Sequence, residues 1–189
     1  MSLADAPVRL VAAQPLTSAS FLPYGDLIAP GALASTTINA GSAQRFDDLT
    51  SLDLTDQGGS ACLAIFRTSG AAPAGPVLLH LFERHQLGSQ TFVPLGAGRC
   101  LCVVAGGEHA PDESAIRAFV VEPGQGITLR RGVWHHPLIT LGAADVLVIE
   151  RRAAQVDCDI HQITGRIMVV PGGDSDLAGI RKGSNDETR

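Results

Sequence analysis

Punctuation constrains this chain more than any other feature. Short apolar and β-branched runs recur along it, and most end in a turn signal such as "LGAG", "AGGE", "EPGQG" or "LGAAD". The runs "PVRLVAA" (7–13), "TTINA" (36–40), "ACLAIFRT" (61–68), "PVLLHLFERH" (76–85) and "QTFVPL" (90–95) read as strands. So do "RCLCVVAG" (99–106), "AIRAFVVE" (115–122), "GITLRRG" (126–132), "WHHPLITL" (134–141) and "DVLVIERR" (145–152). Helical signal is confined to about 18–23, where Thr17 or Ser18 can cap the first turn and Pro23 and Gly25 end the helix. Short strands joined by glycine-bearing turns predict an all-β closed barrel or sandwich with one or two short helices, not a βαβ fold.

The 189 residues suit one domain, and 45% apolar against 17% charged residues is enough for a true core. A net charge of −5 argues against a phosphate-backbone partner, so no nucleic acid is expected. No apolar stretch is long enough for a membrane span, and the N-terminus lacks the basic start of a secretory signal. Cys62, Cys100, Cys102 and Cys158 form no C-x-x-C pair and read as small hydrophobes of a reducing compartment, which predicts a cytoplasmic protein. Residues 1–165 are expected to form the domain and 166–189 a C-terminal tail, because the segment from 172 on is polar and contains glycine.

Two segments hold the polar residues that chemistry needs. In "HLFERHQLGSQTFVPL" (80–95), Glu83 and His85 share a strand face while Arg84 points the other way. A kink at Gly88 would return Gln90 to the Glu83 and His85 side. In "GVWHHPL" (132–138) the adjacent His135 and His136 must face opposite ways, one inward and one outward. Histidine suits proton transfer because its reference pKa lies near neutrality, and an amide such as Gln90 both donates and accepts.

These segments resemble the two motifs of the cupins, H-x-H-x(3,4)-E and P-x-G-x-x-H. The chain has Glu83-x-His85-x4-Gln90 and Arg130-x-Gly132-x-x-His135, so Glu83 stands for a histidine and Gln90 for the acid. The blocks "INAGSAQRFDDL" (38–49), "ERHQLGSQTFVPL" (83–95), "RAFVVEPGQGITLRRGVWHHPL" (117–138) and "DCDI" (157–160) resemble the ureidoglycolate lyase family. That resemblance implies a cupin-type β-barrel (double-stranded β-helix or jelly roll), usually a homodimer. It also implies a carbon–nitrogen lyase of the amidine-lyase type, which splits (S)-ureidoglycolate into glyoxylate and urea in allantoin and purine catabolism.

On this reading His85, His135 and Gln90 are the catalytic candidates, and Arg45, Arg84, Glu83 and His136 the substrate-binding ones, with Arg45 or Arg84 on the carboxylate. His136 is otherwise a structural or interfacial residue. No organic cofactor is expected. Glu83, His85, Gln90 and His135 could form a weak site for a divalent metal such as nickel, manganese or zinc. The competing readings are an amidohydrolase releasing ammonia from the same substrate, a non-catalytic cupin module that binds a small molecule, and a metal-dependent isomerase or dioxygenase.

Overall fold

A computed structural model of the protein describes residues 7–31 and 34–172. The chain opens with β1 (Val8–Pro15), a short α1 (Ser18–Phe21) and β2 (Gly25–Ile28), then a small hairpin of β3 (Thr36–Ile38) and β4 (Ala43–Arg45). The body comprises β5 (Ser60–Thr68), β6 (Val77–Leu78), β7 (Leu81–Arg84), β8 (Gln90–Pro94), β9 (Cys100–Ala105) and β10 (Arg117–Val121). It closes with β11 (Gly126–Leu129), β12 (Trp134–His135), β13 (Ile139–Thr140), β14 (Ala144–Arg152), β15 (Asp159–Gln162) and β16 (Arg166–Val170). The helix is capped as its sequence suggests. Thr17 is the N-cap, and its Oγ1 accepts from the Ser20 N–H at 3.1 Å.

Among the described residues the strands form two large sheets. One runs β15-β7-β12-β9-β10-β1-β16-β6, with β13 also on β9; the other runs β2-β11-β8-β14-β5. Phe92, Ile127, Leu129, Val146 and Val148 of the second sheet pack against Cys100, Cys102, Val104, Phe119 and Val121 of the first. The alternate residues Leu101, Val103 and Ala105 turn the other way, into a second core with Phe82, Trp134, Ala118, Ile167 and Val169. This is why "CLCVV" is apolar without alternation: β9 is buried on both faces. Cys100 and Cys102 share one of those faces, and burial pushes the Cys100 thiol up to about 11.

Several strands differ from the sequence reading for local reasons. The run 134–141 breaks into β12 and β13 around Pro137, which has no N–H to give a ladder. The run 76–85 divides because its halves change partner, β6 pairing with β16 and β7 with β12 and β15. The strands β2, β4, β15 and β16 are additional to those expected. β16 lies in the segment assigned to the tail, yet it pairs in parallel with β1 and buries Ile167, Val169 and Val170. The rest of that segment, from residue 173 on, lies outside the described residues.

Candidate active site

The polar residues collect where the chain passes from one sheet to the other. Glu83 on β7 and His135 on β12 are register partners in the first sheet. Gln90 on β8 and Glu150 on β14 are register partners in the second. His85 comes directly after β7. Its backbone carbonyl accepts from the Gly132 N–H at 2.6 Å, and Gly132 holds φ +75, a conformation that favours glycine. Gly88 has a different job from the expected kink. A Cβ there would lie 2.5 Å from the Cβ of Arg151, so the glycine admits close packing of β14.

The hydrogen bonds fix which atoms face inward. The His135 Nδ1–H donates to the Val133 carbonyl at 3.0 Å, and the His85 Nδ1–H donates to the Asp157 carbonyl. A carbonyl can only accept, so each neutral ring keeps its lone pair on Nε2. His135 Nε2 lies 3.1 Å from Gln90 Oε1 and 3.5 Å from Glu83 Oε1. Gln90 is aimed by Glu150, whose Oε2 accepts from the Gln90 Nε2–H at 2.8 Å. The His85 and His135 ring centroids are 5.4 Å apart, and His85 Nε2 is buried with no partner.

Four acceptor atoms therefore converge with no donor among them unless a cation enters. Ligand atoms of Glu83, His85 and His135 all lie within 4.8 Å of one another. Histidines that give Nδ1–H to backbone carbonyls and turn Nε2 toward a carboxylate are the donor set expected around a divalent ion, and the residues present fit one. Burial alone would raise the Glu83 carboxyl. The hydrogen bond to His135 and the charges of His135, His85 and His136 outweigh it, so the net shift is downward.

A cavity of about 260 Å³ reaches the His85 and Gln90 part of this cluster, lined also by Glu150, Arg152, Asp157 and Cys158, while Glu83 and His135 lie behind its wall. A larger groove of about 860 Å³ runs along β1 and includes Arg9, Arg99 and Arg117, but no histidine or cysteine lines it. Of these two spaces, only the smaller is lined by a histidine.

The remaining candidates have other positions. His135 is 2% exposed and faces the cluster. His136 turns away, giving its Nδ1–H to the Pro137 carbonyl at 2.7 Å; burial, the largest influence, moves its pKa down. Arg45 is exposed and pairs with Asp47 at 2.7 Å. Arg84 lies 4.3 Å over the Trp134 ring and pairs with Asp159 at 2.9 Å, on the side of β7 opposite Glu83. Neither arginine lines the cavity.

Sequence reasoning passed over Glu150 and Asp157. Glu150 continues the inward row Val146, Val148 of β14, so alternation carried its signal. Asp157 sits in the "DCDI" block and binds the loop that carries His85, accepting from the Gln86 and Leu87 N–H groups at 2.7 and 2.8 Å.

Two packed sheets with a Glu-His-His cluster beside a carboxamide define an all-β protein with one candidate polar centre. The sequence pattern of the ureidoglycolate lyase family matches residues 8–170, and the chain belongs to that family. The ureidoglycolate lyase of Burkholderia cepacia is 43% identical over 147 residues, covering 76% of this chain and 81% of its own. That of Pseudomonas putida (strain W619) is 37% identical over 164 residues, covering 86% and 97%. That of Pseudomonas fluorescens (strain SBW25) is 39% identical over 155 residues, covering 82% and 92%.

Proposed function

We propose that the protein is a ureidoglycolate lyase, splitting (S)-ureidoglycolate into glyoxylate and urea within purine (allantoin) breakdown. Family membership supports the substrate, and the convergence of His85 and His135 beside Gln90 supports the reaction. In the substrate one carbon carries a carboxylate, a hydroxyl and a ureido nitrogen. The hydroxyl proton must leave, its electron pair closes a carbonyl, the carbon–nitrogen bond breaks, and the nitrogen gains a proton. No water is consumed, and neither a nucleophile nor an organic cofactor is needed.

His85, which lines the cavity and has a buried, unpartnered Nε2, suits removal of the hydroxyl proton. His135, protonated at Nε2 and donating to Gln90 and Glu83, suits return of a proton to the leaving nitrogen. The fourfold convergence of acceptors favours a second source of the same positive charge. A divalent ion such as nickel, manganese or zinc, held by Glu83, His85, His135 and Gln90, would supply Lewis acidity where oxyanion character develops.

The deciding assay incubates purified protein with (S)-ureidoglycolate and measures glyoxylate, urea and ammonia, before and after chelation. Glyoxylate and urea in equal amounts above the spontaneous rate are expected. Ammonia in place of urea means an amidohydrolase, and no turnover means a binding module. Loss of activity on chelation and recovery with one metal assigns the ion; unchanged activity in metal-free protein leaves the proton reading.

Glu150 gives a sharper test of the geometry. Glu150→Leu frees the Gln90 amide to rotate and is expected to lower glyoxylate release about 10- to 100-fold, whereas Glu150→Gln keeps an acceptor and most of the activity. Equal activity in the two variants would remove Glu150 from the site.

Other features support an intracellular dimer. The four cysteines are unpaired thiols, which suits the cytoplasm, and no helix among the described residues is long and apolar enough to cross a membrane. The edge strand β5 leaves Leu63 67% and Ile65 50% exposed, which suits burial against a second copy. Light scattering at twice the chain mass is the expected result.

A further inference from the structure

The proposed substrate is an anion, yet the cluster offers it two imidazoles, a carboxylate and a carboxamide but no guanidinium or ammonium group. Something at the cavity must answer its carboxylate. Two arginines line the cavity, Arg151 and Arg152. Arg151 is held in place by the fold through Nε and Nη2, and its Nη1 is buried without a partner. Its Nε–H donates to the Asp56 carbonyl at 2.8 Å and its Nη2–H to the Gln57 carbonyl at 3.2 Å, and its stem fills the space over Gly88 and Gly59.

Arg152 differs. Val146, Val148 and Glu150 form the inward row of β14, and the two-residue period places Arg152 on the same face at the strand's end, where it is exposed. Among the described residues no acid and no side-chain acceptor pairs with its guanidinium. The arginines at 45, 67, 84, 99, 130 and 131 each pair with an aspartate or glutamate. Arg117 also has no such partner, but it lines the separate groove along β1.

We propose that Arg152 binds the carboxylate of the substrate and selects small 2-hydroxy and 2-oxo acids. This rests on the lyase reading and deepens it. A guanidinium presents two parallel N–H donors that match a carboxylate's two oxygens. With the anionic end held by Arg152 at the rim, the carbon that bears the hydroxyl and the ureido nitrogen points inward, toward His85 and Gln90.

The test measures binding of glyoxylate to the full-length protein by calorimetry, with glycolaldehyde as the uncharged control. Arg152→Ala is expected to weaken glyoxylate binding about 10- to 100-fold, Arg152→Lys to fall between, and Arg117→Ala to match the wild type. Circular dichroism checks that each variant is folded. In turnover, Arg152→Ala is expected to raise KM for ureidoglycolate by a similar factor with kcat nearly unchanged, the signature of uniform binding. A folded Arg152→Ala protein that binds glyoxylate as tightly as wild type overturns the proposal. So does a wild type that binds glycolaldehyde as well as glyoxylate, or that binds neither. A wild type that binds glyoxylate through Arg152 but releases no urea overturns the lyase reading while leaving Arg152 as a carboxylate site.

Discussion

His135→Ala is expected to reduce glyoxylate release from ureidoglycolate by about 10²- to 10⁴-fold, the usual loss when a positioned proton-transfer group is removed. The imidazole is the hub of the cluster: its Nε2 faces Gln90 Oε1 at 3.1 Å and Glu83 Oε1 at 3.5 Å. Its removal takes the neighbouring imidazole from both oxygens and deletes one of the three metal-type ligands. Two readouts should move together, turnover and retained divalent metal, if an ion supplies the charge. If a proton supplies it, only turnover falls. The matched control is His80→Ala, at an exposed position outside the cavity, where activity should be unchanged. Activity in His135→Ala within a few-fold of wild type would remove the imidazole pair from the chemistry.

Phe82→Ala is expected to have the largest effect on stability, about 3–5 kcal/mol. Phe82 is 0% exposed and packs in the core behind β7 with Leu101, Val103 and Trp134. A single domain has about 5–15 kcal/mol in total, so the loss is a large share of it. Urea unfolding should give a lower midpoint at an unchanged slope. A loss under about 1 kcal/mol would mean that the core collapses to fill the space. Phe82 and Glu83 are adjacent on one strand and face opposite ways, so one residue serves the core and its neighbour the site.

The barrel class was legible because turn signals and short apolar runs agree along the chain. β16 was missed because the polar residues beyond it drew "RIMVV" into the tail, and its partner β1 lies at the far end of the sequence. The meeting of Glu83, His85, Gln90 and His135 was legible from the two motif-like segments together with strand alternation. The two arginines favoured by the sequence, Arg45 and Arg84, lie outside the cavity, and alternation bears on where an arginine can go. It sends Arg84 away from Glu83 and His85, and along β14 it places Glu150 and Arg152 on one face, with Arg152 exposed at the strand's end. Asp157 acts through backbone N–H groups of Gln86 and Leu87, a long-range contact that no local pattern encodes.

The chain changes sheets between His85 and Gln90, so the two halves of the proposed centre are near neighbours in sequence but belong to opposite walls. A partly folded molecule with one wall complete holds only half a catalyst. Turnover thus reports the last stage of assembly, and any ligand that spans the gap acts as a clasp that resists the walls coming apart.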